Sequence, residues 1–225
     1  MKPQIFFVTG TDTNVGKTQI TSAFLVLANT QNISTLGLKP VAAGCQQTEQ
    51  GLCNDDALIL QSCSSVKLPY VQINPVALLE PVSPHIAAQK ERRVLSADRL
   101  AGFCRGSFRL ADLTLVEGAG GWRVPINPSE TMADLARILN LPIILVVGMR
   151  LGCLNHALLT LDAIHHDGLN LAGWVANCVD ANMRALDENI LSLQQKISAP
   201  CLGVVPFIEQ PAPEKITRYL SLPNL

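Results

Sequence analysis

The 225 residues predict a single-domain α/β fold, doubly wound around a mainly parallel sheet. Three observations lead there. Short apolar runs recur without polar alternation, as strands covered on both faces require. Stretches of helical period lie between them. The first run opens onto Gly10-Thr11-Asp12-Thr13-Asn14-Val15-Gly16-Lys17-Thr18, a loop of phosphate-gripping type placed just before the first helical stretch.

The first strand is expected at Ile5–Val8, where it delivers the loop to the sheet. Backbone N–H groups at the following helix N-terminus point at phosphate oxygens. Lys17 reaches the outer phosphates, and the Thr18 hydroxyl ligates Mg²⁺. This makes the fold P-loop NTPase-like. The usual loop has four residues between its first glycine and Gly-Lys-Ser/Thr. Here five separate Gly10 from Gly16, and Thr11 takes the usual glycine position. Ile20, Ala23, Phe24, Leu27 and Ala28 form the stripe of the first helix. Thr35–Leu38 is a second strand, ending at Lys39. Residues 40–56 and 69–85 read as irregular, the second holding Pro69, Pro75, Pro81 and Pro84. Long loops in a compact α/β domain are usually functional. Leu113–Val116 is a strand that ends in Glu117 and is followed by Gly118-Ala119-Gly120-Gly121. Strands at Ile143–Val147, Leu171–Ala176 and Leu202–Val205 alternate with two helical stripes. One is Leu154, Ala157, Leu158, Leu161 and Ile164; the other is Leu186, Ile190, Leu193 and Ile197.

A net charge of −1 supplies no basic field for nucleic acid or acidic lipid. Ile143–Val147 is too short to span a bilayer, and Met1-Lys2-Pro3-Gln4 runs straight into a strand without a signal-peptide core. The seven cysteines, at 45, 53, 63, 104, 153, 178 and 201, are odd in number and form no Cys-x-x-Cys. Reduced core thiols in a cytoplasmic protein are the expectation.

In P-loop folds a carboxylate at the end of a neighbouring strand holds Mg²⁺, which makes Glu117 the second metal candidate. Asp56 is the third, although Asn54-Asp55-Asp56 is also a good cap for a helix beginning near Ala57. Lys39 either bridges two anions at its strand end or is simply solvated. Gly152-Cys153-Leu154-Asn155 opens a helix whose positive end suits a carboxylate, with a plain helix start as the other reading. Asn177 ends its strand with an amide able to pair with adenine. His156, His165 and His166 have no metal spacing, and His85 belongs to a turn or helix start.

Taken together, these segments resemble the dethiobiotin synthetase family. The resemblance rests on the loop at 10–18, Leu-Lys-Pro-Val-Ala-Ala-Gly at 38–44, Asn-Asp-Asp-Ala at 54–57 and Asn74-Pro75. It continues through Glu-Pro-Val-Ser-Pro-His at 80–85, Val-Glu-Gly-Ala-Gly-Gly-Trp at 116–122, Leu-Gly-Cys-Leu-Asn-His-Ala at 151–157 and Gly-Trp-Val-Ala-Asn at 173–177. It implies ATP as co-substrate and Mg²⁺ on Thr18, Asp56 and Glu117. It also implies phosphates held by Lys17 and the amides of Asn14, Val15, Gly16 and Thr18, with Gln19, Gly118, Ala119 and Gly120 completing the nucleotide site. Asn177 and Cys178 would meet the adenine, flanked by Pro206, Phe207 and Ile208. Lys39 would be catalytic beside the γ-phosphate, with Lys17. Thr13, Ala43, Pro81 and Ser83 would line a diamine pocket. Gly152, Cys153, Leu154 and Asn155 would bind the substrate carboxylate from the neighbouring copy of a homodimer.

The implied reaction joins CO₂ to one amine of 7,8-diaminopelargonate and phosphorylates the carbamate from ATP. The second amine then closes the ring, releasing ADP and phosphate. Two positions depart from the family pattern: Ala43, where serine is common, and Asn14, where an acidic residue is common. The alternatives are a partition-type ATPase switch and a paralogous ATP-dependent ligase with a shifted substrate. Switches of that type usually carry an extra lysine early in the loop, where this chain has Thr11 and Asp12.

Overall fold

The structure is a computed structural model that describes residues 2–49 and 51–223. Gln50, within the stretch 40–56, and Met1 lie outside the described residues. In chain order the elements are β1 (Gln4–Gly10), α1 (Lys17–Thr30), β2 (Thr35–Leu38), β3 (Val41–Ala42), β4 (Gln46–Thr48), β5 (Gly51–Cys53) and α2 (Asp55–Cys63). Next come α3 (Tyr70–Ile73), β6 (Val76–Ala77), α4 (Pro84–Lys90), α5 (Ala97–Arg105), β7 (Leu113–Gly121), α6 (Met132–Leu139) and β8 (Ile143–Met149). The chain ends with α7 (Cys153–His166), β9 (Leu171–Cys178), α8 (Leu186–Lys196), β10 (Cys201–Val205) and α9 (Pro213–Ile216).

The main sheet runs in the order β10-β9-β8-β1-β7-β2, with every pairing parallel. Side chains on a strand alternate between faces, and both faces are covered. Phe6 and Val8 pack with Ile20 and Phe24 of α1, whereas Phe7 packs with the helices of the other face, including Leu100 of α5 and Leu135 of α6. Leu145 and Val147 of β8 join Ala157 and Leu161 of α7 and Leu193 of α8 in a third cluster. The continuous apolar runs therefore reflect burial on two sides. The order of the central strands puts β1 beside β7 and β8, so the loops leaving these three strands meet at one end of the sheet.

Several boundaries differ from the sequence reading: β1, β8 and β9 run one to two residues longer at their ends, and the stretch 69–85, expected to be irregular, holds α3, β6 and the start of α4. β7 does not end at Glu117 but continues to Gly121, still paired with β1, with the register shifting between Val8 (opposite Glu117) and Gly10 (opposite Gly121). Gly118 allows this because the Phe7 ring lies only 3.1 Å from where a Cβ would stand. The stretch 40–56 is also not wholly irregular. β3 pairs with β6, and β4 pairs with β5 in a small antiparallel hairpin.

Both margins of the sheet are covered by local chain. On β2, the Gly37 N–H donates to the Ser64 hydroxyl and the Thr35 N–H to the Ser65 hydroxyl. On β10, Leu202 accepts from the Ser221 N–H, and Gly203 bridges Leu220. Among the described residues, no helix is long and apolar enough to cross a membrane.

α2 begins at Asp55, and Asn54 is its cap, its side chain accepting from the Ala57 N–H. Asn54→Ala is expected to cost about 1 kcal/mol. That corresponds to a fall in melting temperature of roughly 2–4 °C for a chain of this size, measurable by thermal unfolding.

Candidate active site

α1 starts at Lys17, directly after Gly16, which holds φ 84°; no side chain caps this end. The first N–H groups of a helix have no partner within it, so Lys17, Thr18 and Gln19 present free donors and the positive end of the helix dipole. The loop is anchored by Val15, whose side chain fills the space that glycines leave at the ends of two strands. A Cβ on Gly10 would lie 2.6 Å from Val15, and one on Gly148 would lie 2.7 Å away. Val15 is thus a buried anchor whose side chain is turned away from any ligand. Asn177, 4% exposed, holds the loop from the other side: its Nδ2 donates to the Val15 carbonyl at 2.9 Å.

Lys39 is not solvated. It is 4% exposed, and its Nζ donates to Glu117 Oε1 at 2.5 Å, Asp56 Oδ2 at 3.1 Å and the Gly118 carbonyl at 3.3 Å. Burial alone would lower its pKa. The Glu117 and Asp56 charges outweigh that and raise it. Burial likewise pushes the Asp56 carboxyl up, but the Lys39 ammonium holds it below the ordinary carboxylate range. Lys17 has no such partner. Its Nζ donates to the Asp12 carbonyl at 3.0 Å, and burial together with the nearby Lys39 charge lowers its pKa from 10.5 to about 8.

A chain of hydrogen bonds ties the loop that carries Lys39 to the start of α2, which carries Asp56. The Asn54 N–H donates to the Tyr70 hydroxyl, which donates to Asn74 Oδ1; Asn74 Nδ2 donates to the Lys39 carbonyl at 2.6 Å. Burial pushes the Tyr70 phenol up to about 12, so it stays a donor across the neutral range. Asn74 and Tyr70 were not recognised as positioning groups from sequence.

The Mg²⁺ expectation can be tested against the side chains present. Thr18 Oγ1 donates to Glu117 Oε1 at 2.7 Å, and Asp56 meets the same lysine as Glu117. Glu117 is fully buried, and its Oε2 has no hydrogen-bond partner. An unpaired buried carboxylate oxygen within a hard oxygen set fits a small divalent cation that also carries phosphate and water.

Two cavities flank this centre. One, of about 470 Å³, is lined by Thr13, Asn14, Gly16, Lys17, Thr18, Gln19, Lys39, Asp56, Gly120, Asn177, Cys178, Pro206, Phe207 and Ile208. Val179, Glu209, Pro211 and Ile216 also line it and had no signal in the sequence. The other, of about 590 Å³, is lined by Thr13, Asn14, Lys39, Ala43, Asp56, Pro81, Ser83, Ala119 and Gly120, among others. Thr13, Asn14, Lys39, Asp56 and Gly120 face both. Asn14 has φ 58°, a left-handed conformation that asparagine tolerates.

Gly152, Cys153, Leu154 and Asn155, at the head of α7, line neither cavity. Gly152 has φ 92°, and the adjacent Leu151 is 97% exposed. The preceding residue, Arg150, pairs with Asp12 at 2.5 Å, a contact between loops 138 residues apart. His156, His165 and His166 are exposed. All seven cysteines are free thiols, and burial drives that of Cys104 up to about 12.

Comparison with known proteins is consistent with this layout. A family model described as an AAA domain matches residues 4–215. The chain is 61% identical to the ATP-dependent dethiobiotin synthetase BioD of Cellvibrio japonicus, covering 100% of this chain and 99% of that one. It is 52% identical to the protein of the same name from Pseudomonas aeruginosa strain UCBPP-PA14, covering 96% of each. Among solved structures it is similar in fold to the septum site-determining protein MinD of Pyrococcus horikoshii with Mg-ADP (TM-score 0.55, 15% identity, 92% of this chain and 82% of that one). The signal recognition particle receptor FtsY of Elizabethkingia anophelis with GDP is a further neighbour (TM-score 0.59, 12% identity, 95% and 59%).

Proposed function

The chain belongs to the dethiobiotin synthetase family, and on that premise we propose that its two adjoining cavities hold ATP and a diamine on either side of Lys39. It is an ATP-dependent ligase that forms dethiobiotin. The observation that carries the site reading is the shared wall: Thr13, Asn14, Lys39, Asp56 and Gly120 face both cavities, so a group in one lies next to a group in the other.

In this reading the free N–H groups at the start of α1 and the Lys17 ammonium hold the phosphates, and Pro206, Phe207 and Ile208 flank the base. CO₂ adds to one amine of 7,8-diaminopelargonate as a carbamate in the larger cavity. Lys39 stands between the carbamate oxygen and the γ-phosphate, where its charge offsets the negative charge both bring together. The carbamate is phosphorylated, the second amine attacks the activated carbon, and phosphate leaves. Ring closure gains from both amines belonging to one positioned molecule. No side-chain nucleophile is needed, which accords with the inert, buried Cys45 thiol, its pKa raised by burial. Thr18, Asp56 and Glu117 would hold Mg²⁺, which supplies charge neutralisation at the β- and γ-phosphate oxygens. In a homodimer the head of α7, where Gly152 and Asn155 are exposed and Cys153 is buried, would reach the substrate carboxylate of the neighbouring copy, which fits its absence from both cavities of its own chain.

The test is ADP release from MgATP, with diamine and bicarbonate added separately and together. Release that needs both is the expected result. Release that needs neither and rises with a protein partner would point instead to the switch. A second expectation concerns Ala43. Ala43→Ser adds one hydroxyl to the wall of the larger cavity, and a hydrogen bond of about 1 kcal/mol should lower KM for the diamine roughly fivefold. An unchanged KM removes position 43 from the substrate contacts.

A further inference from the structure

We propose that Asn177 is a positioning residue for the triphosphate, acting through the loop and independently of any contact with the base. The geometry is specific. Asn177 sits near the end of β9, paired with Val205 of β10 on one side and Gly148 of β8 on the other, so its backbone is held between strands. Its Nδ2 donates to the Val15 carbonyl, at the crest of the loop. A carbonyl only accepts, so the amide must present its nitrogen here and its orientation is settled. The same nitrogen lies 2.1 Å from where a Cβ on Gly16 would stand. The amide therefore both ties down the peptide before Gly16 and sets how closely the loop approaches β9. Gly16 keeps φ 84°, and the free N–H groups of α1 begin one residue later. Moving that peptide would rotate the donors that face the phosphates.

One amide thus links the base end of the cavity to its phosphate end. Asn177 also lines the cavity, and a base-reading role would use atoms this clasp leaves over.

This inference rests on the proposed phosphate role of the loop, and the experiment separates the two. Inorganic tripolyphosphate carries the phosphates without ribose or base. Its competitive inhibition constant against ATP is measured for the wild-type enzyme and for Asn177→Ala, with melting temperatures of both. A clasp predicts tripolyphosphate binding about tenfold weaker in the variant, the fold-change for one lost hydrogen bond to a buried carbonyl. An unchanged constant, in a variant that loses affinity for ATP, confines Asn177 to the base and overturns the inference. So does a lowered melting temperature with an unchanged constant. A wild-type enzyme that tripolyphosphate fails to inhibit overturns the phosphate reading itself, and the clasp with it. Should Asn177→Ala fail to fold, Asn177→Ser serves the same comparison.

Discussion

Lys39→Ala is expected to lower kcat by about 10³-fold, the scale of losing one preorganised charge at a developing anion, while the affinity for ATP should change by no more than a few-fold. The same substitution weakens the fold. Glu117 is fully buried, and Lys39 is its charged partner at 2.5 Å. Removing one member of a buried pair costs about 3–5 kcal/mol, because the other charge stays behind. The melting temperature should drop by roughly 10 °C. Turnover is therefore measured well below the new transition, with intact structure verified by circular dichroism. Lys39→Arg separates the two effects. It returns a cation to Glu117 and should recover most of the stability, yet its planar head does not reproduce a compact ammonium and turnover stays low. Near-normal turnover in Lys39→Ala would remove Lys39 from the chemistry.

Lys17→Met has the opposite signature. It should cut kcat/KM for ATP by about 10²–10³-fold, since Lys17 is the cation nearest the loop's phosphate donors, but leave the melting temperature at or above that of the wild type. The reason lies in how each lysine is held. Lys39 gains from its partners, and its pKa is raised. Lys17 is 7% exposed, meets only a backbone carbonyl through its Nζ, and is repelled by Lys39. A depressed pKa means that the folded protein disfavours the charge relative to the unfolded chain. Methionine keeps the apolar stem and removes that penalty. A melting temperature that falls as far as in Lys39→Ala would contradict this account of the site.

The contrast also shows what a sequence exposes. The strands and helices were legible because their signals are local: unbroken apolar runs, helical stripes, and a glycine-flanked loop between them. A cap within Asn54-Asp55-Asp56 was legible for the same reason, since Asn54 meets the Ala57 N–H three residues away, although the helix starts at Asp55 and not near Ala57. Lys39 was ambiguous because Asp56 and Glu117, which decide its state, are remote in the chain. Asp12 and Arg150 are more distant still, and nothing at either position announces the other. β7 was cut short at Glu117 because four small residues look like a turn. They stay in the strand because β1 continues beside them, and at Gly118 the Phe7 ring fills the space a side chain would need. The β4–β5 hairpin escaped notice because Gln46, Gln47 and Thr48 are polar and exposed, with none of the apolar pattern that marks a strand. The loop at 10–18 was placed from sequence; what holds it, Asn177 and the gap between Gly10 and Gly148, required the fold.

The serine hydroxyls on β2 and the C-terminal segment on β10 have a consequence for association. A bare sheet margin invites another strand to add to it, which is how chains join into continuous intermolecular ladders and fibres. Here the outward N–H groups of Thr35 and Gly37 are satisfied within the chain, and the Leu202 carbonyl is taken by Ser221. These contacts oppose strand addition at the margins of the six-stranded sheet. Ser64→Ala and Ser65→Ala would remove the two hydroxyl acceptors from this margin, while the Val66 N–H would still hold the Thr35 carbonyl.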